Sequence, residues 1–351
     1  MAFQLSIPDL CLEQARWCQN LGSPLYAFLL NKCAADYEQG GPVRDLLEPH
    51  KGDRKGTALP LRMMGAVHRL ALTGEAPELA RYYPTCGGEV DFPAAWRAFR
   101  EVLSKHLHEL EQLVLRPVQT NEVGRCGALL GGFLEIARRT GLPLRLLEMG
   151  ASAGLNLRWD HYRYTWPGGA WGEAKSQVSI AEVFHGSAPE PCKVEIVKRR
   201  GCDPNPIDPA SPEGRLTLLS YVWADQVERL RMLESAIEVA RDVPCHVDQA
   251  RAAEWLPHQF AEPGTGAVTV LFHSVVWQYL PHEEREAVRA LIDTAAAKAS
   301  AEAPFAWLRM EPGSDGAEVK LMIAPGLPDR RIATAGYHAP RVHWLLESDR
   351  T

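Results

Sequence analysis

No two of the eight cysteines (Cys11, Cys18, Cys33, Cys86, Cys126, Cys192, Cys202, Cys245) form a C-x-x-C pair. The sequence basis for a zinc knuckle or a disulfide framework is therefore missing, and the cysteines read as small buried hydrophobes. The 12 histidines give no H-E-x-x-H, so no metal site is expected. No apolar run approaches the length of a membrane span, and MAFQLSIPDLCLEQ lacks a basic leader followed by an apolar core; the expectation is a cytoplasmic protein without a membrane segment. An excess of positive charge is lacking as well. A net charge of -6 argues against gripping a nucleic-acid backbone and leaves a small-molecule or protein substrate. Internal repeats and low-complexity linkers are also missing. What is present is ordinary for a globular chain, 46% hydrophobic and 23% charged over 351 residues, enough for one enlarged domain or two smaller ones.

The organising stretch is LRLLEMGASAGLNL, Leu144 to Leu157. Its first half is an apolar run that predicts a buried strand, and its second half predicts a helix opened by a turn of small residues, Gly150 to Gly154. Glycines there permit backbone angles that a Cβ obstructs and let a ligand approach the amides. Glu148 falls at the carboxyl end of the strand, where ligands of open α/β sheets bind. Three chemistries share these letters. A dinucleotide fingerprint requires its third glycine at Leu155, one position after Gly154. A serine hydrolase elbow, G-x-S-x-G, would make Ser152 the nucleophile, with an acid such as Asp203 or Asp248 and a late histidine such as His273 or His338; it needs strands upstream, where the pattern is helical. The third is the acid-x-Gly-x-x-x-Gly turn of S-adenosylmethionine-dependent methyltransferases, which takes Glu148, Gly150 and Gly154 together.

Upstream, apolar spacing predicts a helical hairpin from Pro8 to about Gln39, a polar loop from Glu48 to Thr57, a helix from Pro60 to Thr73 and a long helix from Pro93 to Leu115 with His106 and His108 on its wet side. Residues 1–117 thus form a helical N-terminal cap region, suited to covering a substrate or to forming a homo-oligomer surface. In VQTNEVGRCGALLGG, Thr120, Asn121 and Glu122 serve either to cap the next helix or, with Arg125, to meet a ligand. Downstream, Tyr162, Tyr164 and Trp166 alternate with Arg163 and Thr165 toward a Pro-Gly-Gly turn, which predicts a hairpin inserted at about 160–192. VEIVKRRGCDPNPID is a second strand ending at Asp203 and Asn205. These two are either turn formers or, for Asp203, the acid that accepts from ribose hydroxyls in a nucleotide fold. One long helix is expected over LTLLSYVWADQVERLRMLESAIEVA, with Asp225, Gln226 and Arg229 facing solvent or ligand. Asp248 follows a short third strand, His273 and Ser274 end a fourth, Glu311 a fifth, and two further adjacent strands predict an antiparallel edge on a parallel sheet.

From Leu144 onward, LLEMGASAG, RGCDPNP, VDQARAAEWL, VLFHSVVWQYLP and WLRMEP give a chain that resembles the Rossmann-like methyltransferases. With QTNEVGR, the whole chain also resembles a bacterial family of unknown function regarded as a relative of those enzymes. The resemblance implies an α/β Rossmann-like domain over 118–351 and S-adenosylmethionine as cofactor. Glu148, Gly150, Ser152 and Gly154 would lie at its methionine moiety, Asp203 with Asn205 at the ribose, Asp248 and Gln249 at the adenine, and Asn121 and Arg125 over the ligand. His273 and Ser274 would stand where donor and acceptor meet, with His273 able to take a proton and Tyr279 or Glu122 able to hold the acceptor. Two departures are visible: Ser152 replaces the usual middle glycine, and about fifty residues separate the first motif from Asp203 where roughly twenty is typical. A protein that binds the cofactor without catalysis is the third function class open at this level.

Overall fold

The computed structural model describes residues 5–53, 57–262, 264–339 and 341–346. The expected loop at 48–57 and the last expected hairpin each run partly outside these residues. The chain divides into two compact units, one reaching Thr120 and taking in Ser211–Glu234, the other holding Asn121–Ala210 and the chain from Ser235 onward.

The first unit is helical. A capping box, in which Ser6 accepts from the Asp9 amide and Asp9 accepts from the Ser6 amide, starts α1 (Ile7–Asn20). Gly22 at φ +80° turns the chain into α2 (Pro24–Glu38), giving the expected hairpin. After α3 (Pro42–Leu47), α4 (Leu59–Thr73) and α5 (Pro77–Ala80), the expected long helix breaks at His106 into α6 (Phe92–Lys105) and α7 (Leu107–Leu113). His108 lies on the wet side as expected, but the His106 side chain is only 18% exposed. The helix expected after the second strand is also two, α9 (Pro212–Ser220) and α10 (Val227–Asp242). The bend between them is held by its own polar groups. Asp225 accepts from the Ser23 hydroxyl at 2.5 Å and the Leu25 amide at 2.9 Å, and Gln226 donates to the Leu21 carbonyl at 2.8 Å. These residues anchor the start of α2, so their expected ligand role has a structural substitute.

The second unit carries an eight-stranded sheet. In chain order its strands are β1 (Leu144–Met149), β5 (Ile196–Asp203), β6 (His246–Gln249), β7 (Val268–Ser274), β8 (Phe305–Gly313), β9 (Gly316–Ala324), β10 (Leu327–Ala335) and β11 (His343–Trp344). Across the sheet the order is β11-β10-β9-β8-β7-β1-β5-β6. The five from β6 to β8 are parallel and the rest antiparallel, so the expected mixed α/β sheet with an antiparallel edge is present. Every residue of β1 and β7 is buried, as parallel strands covered on both faces require. On one face, α11 (Ala252–Phe260) and α12 (His282–Lys298) close a core over Leu147, Met149, Leu271 and Trp307. On the other lies α8 (Arg125–Thr140), whose Phe133 stacks on Trp159 at 4.3 Å and meets Phe272 edge-on at 5.2 Å. The expected inserted hairpin is present as β2 (Arg163–Trp166) and β3 (Gly169–Trp171), joined by β4 (Ser179–Ile180) into a separate three-stranded sheet.

Candidate functional site

The chain runs from β1 outward to β5 and β6, then returns to the other side of β1 for β7 and β8. This reversal makes a topological switch point at the carboxyl ends of β1 and β7, the place where open α/β sheets bind ligands. Register brings the sequence candidates to one level: Glu148 pairs with Gly201 and Phe272, Cys202 with Asp248, and Asp203 with Gln249.

The turn after β1 differs from expectation. No α-helix follows it; a short 3-10 segment over Asn156–His161 does. Gly150, Ser152 and Gly154 all have left-handed backbones, at φ +64°, +50° and +67°. A serine in that region is uncommon and held by its surroundings. Its restraint is visible: the Ser152 amide donates to Asp203 Oδ2 at 3.0 Å, and its carbonyl accepts from Ile207 at 3.2 Å. Neighbouring amides are equally committed. Ala151 donates to the Cys202 carbonyl at 3.1 Å, Gly154 to that of Ala151 at 2.7 Å, and Leu155 to Asn121 Oδ1 at 2.9 Å. A turn that spends these amides internally does not form the anion nest a pyrophosphate needs.

Glu148 alternates with Leu147 and Met149, so it points to the α8 side, where it is 2% exposed. Asn156 donates to one of its oxygens and accepts from the Cys126 thiol at 3.2 Å, while Glu148 Oε2 is buried without a hydrogen-bond partner among the described residues. Burial first, then the Asp203 carboxylate, raises the Glu148 pKa well above the usual carboxylate range. Arg158, the nearby buried cation, directs its guanidinium to the carbonyls of Gly154, Ala153, Val243 and Ala240. Asp203, 8% exposed, fastens two loops, because its Oδ1 also accepts from the Asn205 amide at 2.8 Å.

The remaining candidates divide. Asn121 and Arg125 do reach the switch point. Asn121 holds Leu155, and Arg125 donates to the Ser274 carbonyl at 3.1 Å and the Tyr337 carbonyl at 3.0 Å. The N-cap of α8 is Gly124, without a side-chain cap, so this polar run does not serve as one. Glu122 is buried beside it at 7% exposure. Asp248 turns toward its neighbours instead. Arg200 binds it at 2.6 and 2.8 Å and the Trp255 indole at 2.6 Å, and the hydrogen bond from Arg200 is the main reason its pKa falls to about 2. Gln249 is exposed and donates to the Pro204 carbonyl. Tyr279 is 55% exposed.

His273 is fully buried with both ring nitrogens engaged. Trp307 Nε1 donates to Nε2 at 3.2 Å, which leaves the proton on Nδ1, 2.6 Å from Glu311 Oε1. This histidine is a buttress of the sheet end and not a base for Ser152. The same Glu311 oxygen accepts from the amides of Val276 at 2.9 Å and Trp277 at 3.2 Å. Between Ser274 and Val276, Val275 is held at φ +55°, an outlier for a β-branched residue. Val276 then packs over Gly150, where an added Cβ would fall 2.5 Å from its Cγ2. Glu311, Val275, Val276 and Asn156 were missed as site residues by sequence reading. Only the density of polar and aromatic residues in HSVVWQY hinted at them.

Fold and site together define a mixed α/β protein with a largely parallel sheet, a helical N-terminal region, and a buried carboxylate with one unpartnered oxygen at its switch point. The chain belongs to DUF2332, a family described as uncharacterized protein conserved in bacteria, whose model matches residues 9–344. No curated protein and no solved structure matches it. Among the described residues, no helix is long and apolar enough to cross a membrane, and no cluster of three or more His, Cys, Asp or Glu side chains is placed to hold a metal.

Proposed function

We propose that this protein is an S-adenosylmethionine-dependent methyltransferase acting on a small-molecule or protein acceptor. The observation that carries the reading is the unpartnered Glu148 Oε2 at the switch point. Burial holds this carboxyl in its neutral form, and a ligand bearing positive charge would favour its ionised form. The residues fit this cofactor better than a dinucleotide. S-adenosylmethionine has no phosphate, so the committed amides of Ala151, Ser152, Gly154 and Leu155 are no obstacle, and its charge is of the sign that would favour an ionised Glu148. Asp203, which accepts from the Ser152 and Asn205 amides, stands at the strand end where the ribose hydroxyls of such a cofactor would lie.

When bound, the cofactor supplies an activated methyl group whose transfer is an in-line displacement. The chain's task is then alignment and exclusion of water, and no dedicated base is needed. Glu148 would face the cofactor's positive charge, Asp203 fixes the turn and Asn205, and Glu311 fixes the Ser274-to-Trp277 turn that carries Val276 onto Gly150. His273 donates from Nδ1 to Glu311 and stabilises that turn.

Titration calorimetry of the full chain with S-adenosylmethionine and S-adenosylhomocysteine tests the proposal. Saturable binding of both is expected, with Glu148→Gln weakening S-adenosylmethionine by about tenfold or more, a difference of about 1.4 kcal/mol. S-adenosylhomocysteine, which lacks the sulfonium charge, should lose less. Absence of binding for both ligands would overturn the proposal.

A further inference from the structure

On the α12 side of the sheet, one residue beyond Val276, a cavity of about 250 Å³ is walled by the indoles of Trp277 and Trp307 and bordered by Arg289, Arg309, Glu311 and Lys320. Its charges are unequally satisfied. Arg309 binds Asp329 at 2.9 and 2.6 Å, and Lys320 binds Glu318 at 2.8 Å. Arg289 lies 4.8 Å over the Trp307 ring and, among the described residues, forms no ion pair. One helical turn earlier, Arg285 has a buried Nε without a hydrogen-bond partner. A neighbouring hollow, also bordered by Trp277 and Arg289, places Arg285 beside the cavity. Of the acids of that hollow, Glu286 faces His282 at 3.6 Å, and among the described residues Asp293 forms no ion pair with either arginine. Glu311 spends Oε1 on three donors while its buried Oε2 has none.

From this arrangement we propose that the cavity is a second binding site, for a small aromatic oxyanion. Trp277 and Trp307, the latter already carrying the Arg309 guanidinium 3.8 Å over its ring, border the flat ring, and Arg289 takes a carboxylate or a phosphate monoester, both of which match guanidinium geometry, with Arg285 adding positive charge from the adjoining hollow. Glu311 Oε2 accepts from an N–H or O–H on the same ligand. The cavity lies on the face of the sheet opposite Glu148, so it is a site of its own, and the oxyanion assignment does not rest on the methyl-transfer proposal.

The test is calorimetry on the full chain without S-adenosylmethionine, using benzoate, phenyl phosphate and aniline as probes, each to 10 mM. At least one of the two anions should bind saturably and shift the indole emission, with aniline at least tenfold weaker. The stronger anion identifies carboxylate or phosphate as the recognised group. Arg289→Met, a change on an exposed helix face checked for folding by circular dichroism, should weaken that anion at least tenfold, and Arg289→Lys should restore part of the loss. Binding of neither anion, equal binding of aniline, or unchanged affinity in Arg289→Met would each overturn the assignment. Since S-adenosylmethionine is absent, failure here leaves the cofactor measurement intact, and failure there leaves the oxyanion site intact.

Discussion

Replacing Asp203 with asparagine isolates the contact that joins the small-residue turn to the second parallel strand. In the native protein one carboxylate serves two amides, Ser152 at 3.0 Å through Oδ2 and Asn205 at 2.8 Å through Oδ1. An asparagine has one acceptor oxygen and one NH2 donor in nearly the same space, so whichever way it turns, one amide faces a donor. A hydrogen bond to a charged group is worth roughly 1.5–3 kcal/mol, and an amide left buried without a partner costs about 1–3 kcal/mol. These describe overlapping parts of one change, so the expected destabilisation of Asp203→Asn is about 2–4 kcal/mol. It should appear in urea denaturation as a lower midpoint with an unchanged slope. The left-handed Ser152 depends on the same bond, so Ser152→Gly in the Asp203→Asn background should recover part of the loss, about 1 kcal/mol. If Asp203→Asn lies within 0.5 kcal/mol of the native protein, Asp203 does not hold the turn. Equal effects of Ser152→Gly in both backgrounds would show that the left-handed serine is not coupled to it.

Two further outcomes follow from the packing. His68 is fully buried in the helical unit, its Nε2 2.8 Å from Thr85 Oγ1 and its Nδ1 3.1 Å from the Ser220 carbonyl, and burial lowers its pKa from 6.5 to about 4. The folded value lies below the unfolded one, so the contribution is complete above pH 6.5 and is lost as pH falls toward 4. At about 1.4 kcal/mol per unit this amounts to about 3 kcal/mol. Urea midpoints between pH 7.5 and 4.5 should fall more steeply for the native protein than for His68→Gln, and parallel curves would refute the linkage. Gly150→Ala adds a Cβ at φ +64° only 2.5 Å from Val276 Cγ2, with an expected cost of about 1–3 kcal/mol from the backbone and the crowding. Adding Val276→Ala should relieve the crowding part, and strict additivity of the two changes in thermal unfolding would show that Val276 does not pack there.

Local pattern determined much of this protein without help. Apolar runs such as LRLLEM and VTVLFHS could satisfy their backbones while buried on both faces only as central parallel strands. The period-two segments near the carboxyl end could form only an antiparallel edge, and the small residues at Gly150 and Gly154 marked backbone that a Cβ would strain. Fold class, strand sequence and the level of Glu148, Asp203, Asp248 and His273 at the strand ends were legible because each depends on neighbours in the chain. Which polar atoms remain unspent was not legible, since that depends on partners tens to hundreds of residues away. Arg200 and Trp255 take up Asp248, Trp307 and Glu311 take up His273, and the amides that a phosphate would need are turned inward to Cys202, Asp203 and Asn121. Among the described residues the same long-range contacts leave Glu148 Oε2 buried without a hydrogen-bond partner and Arg289 without an ion pair, and only tertiary structure decides which charges a fold neutralises.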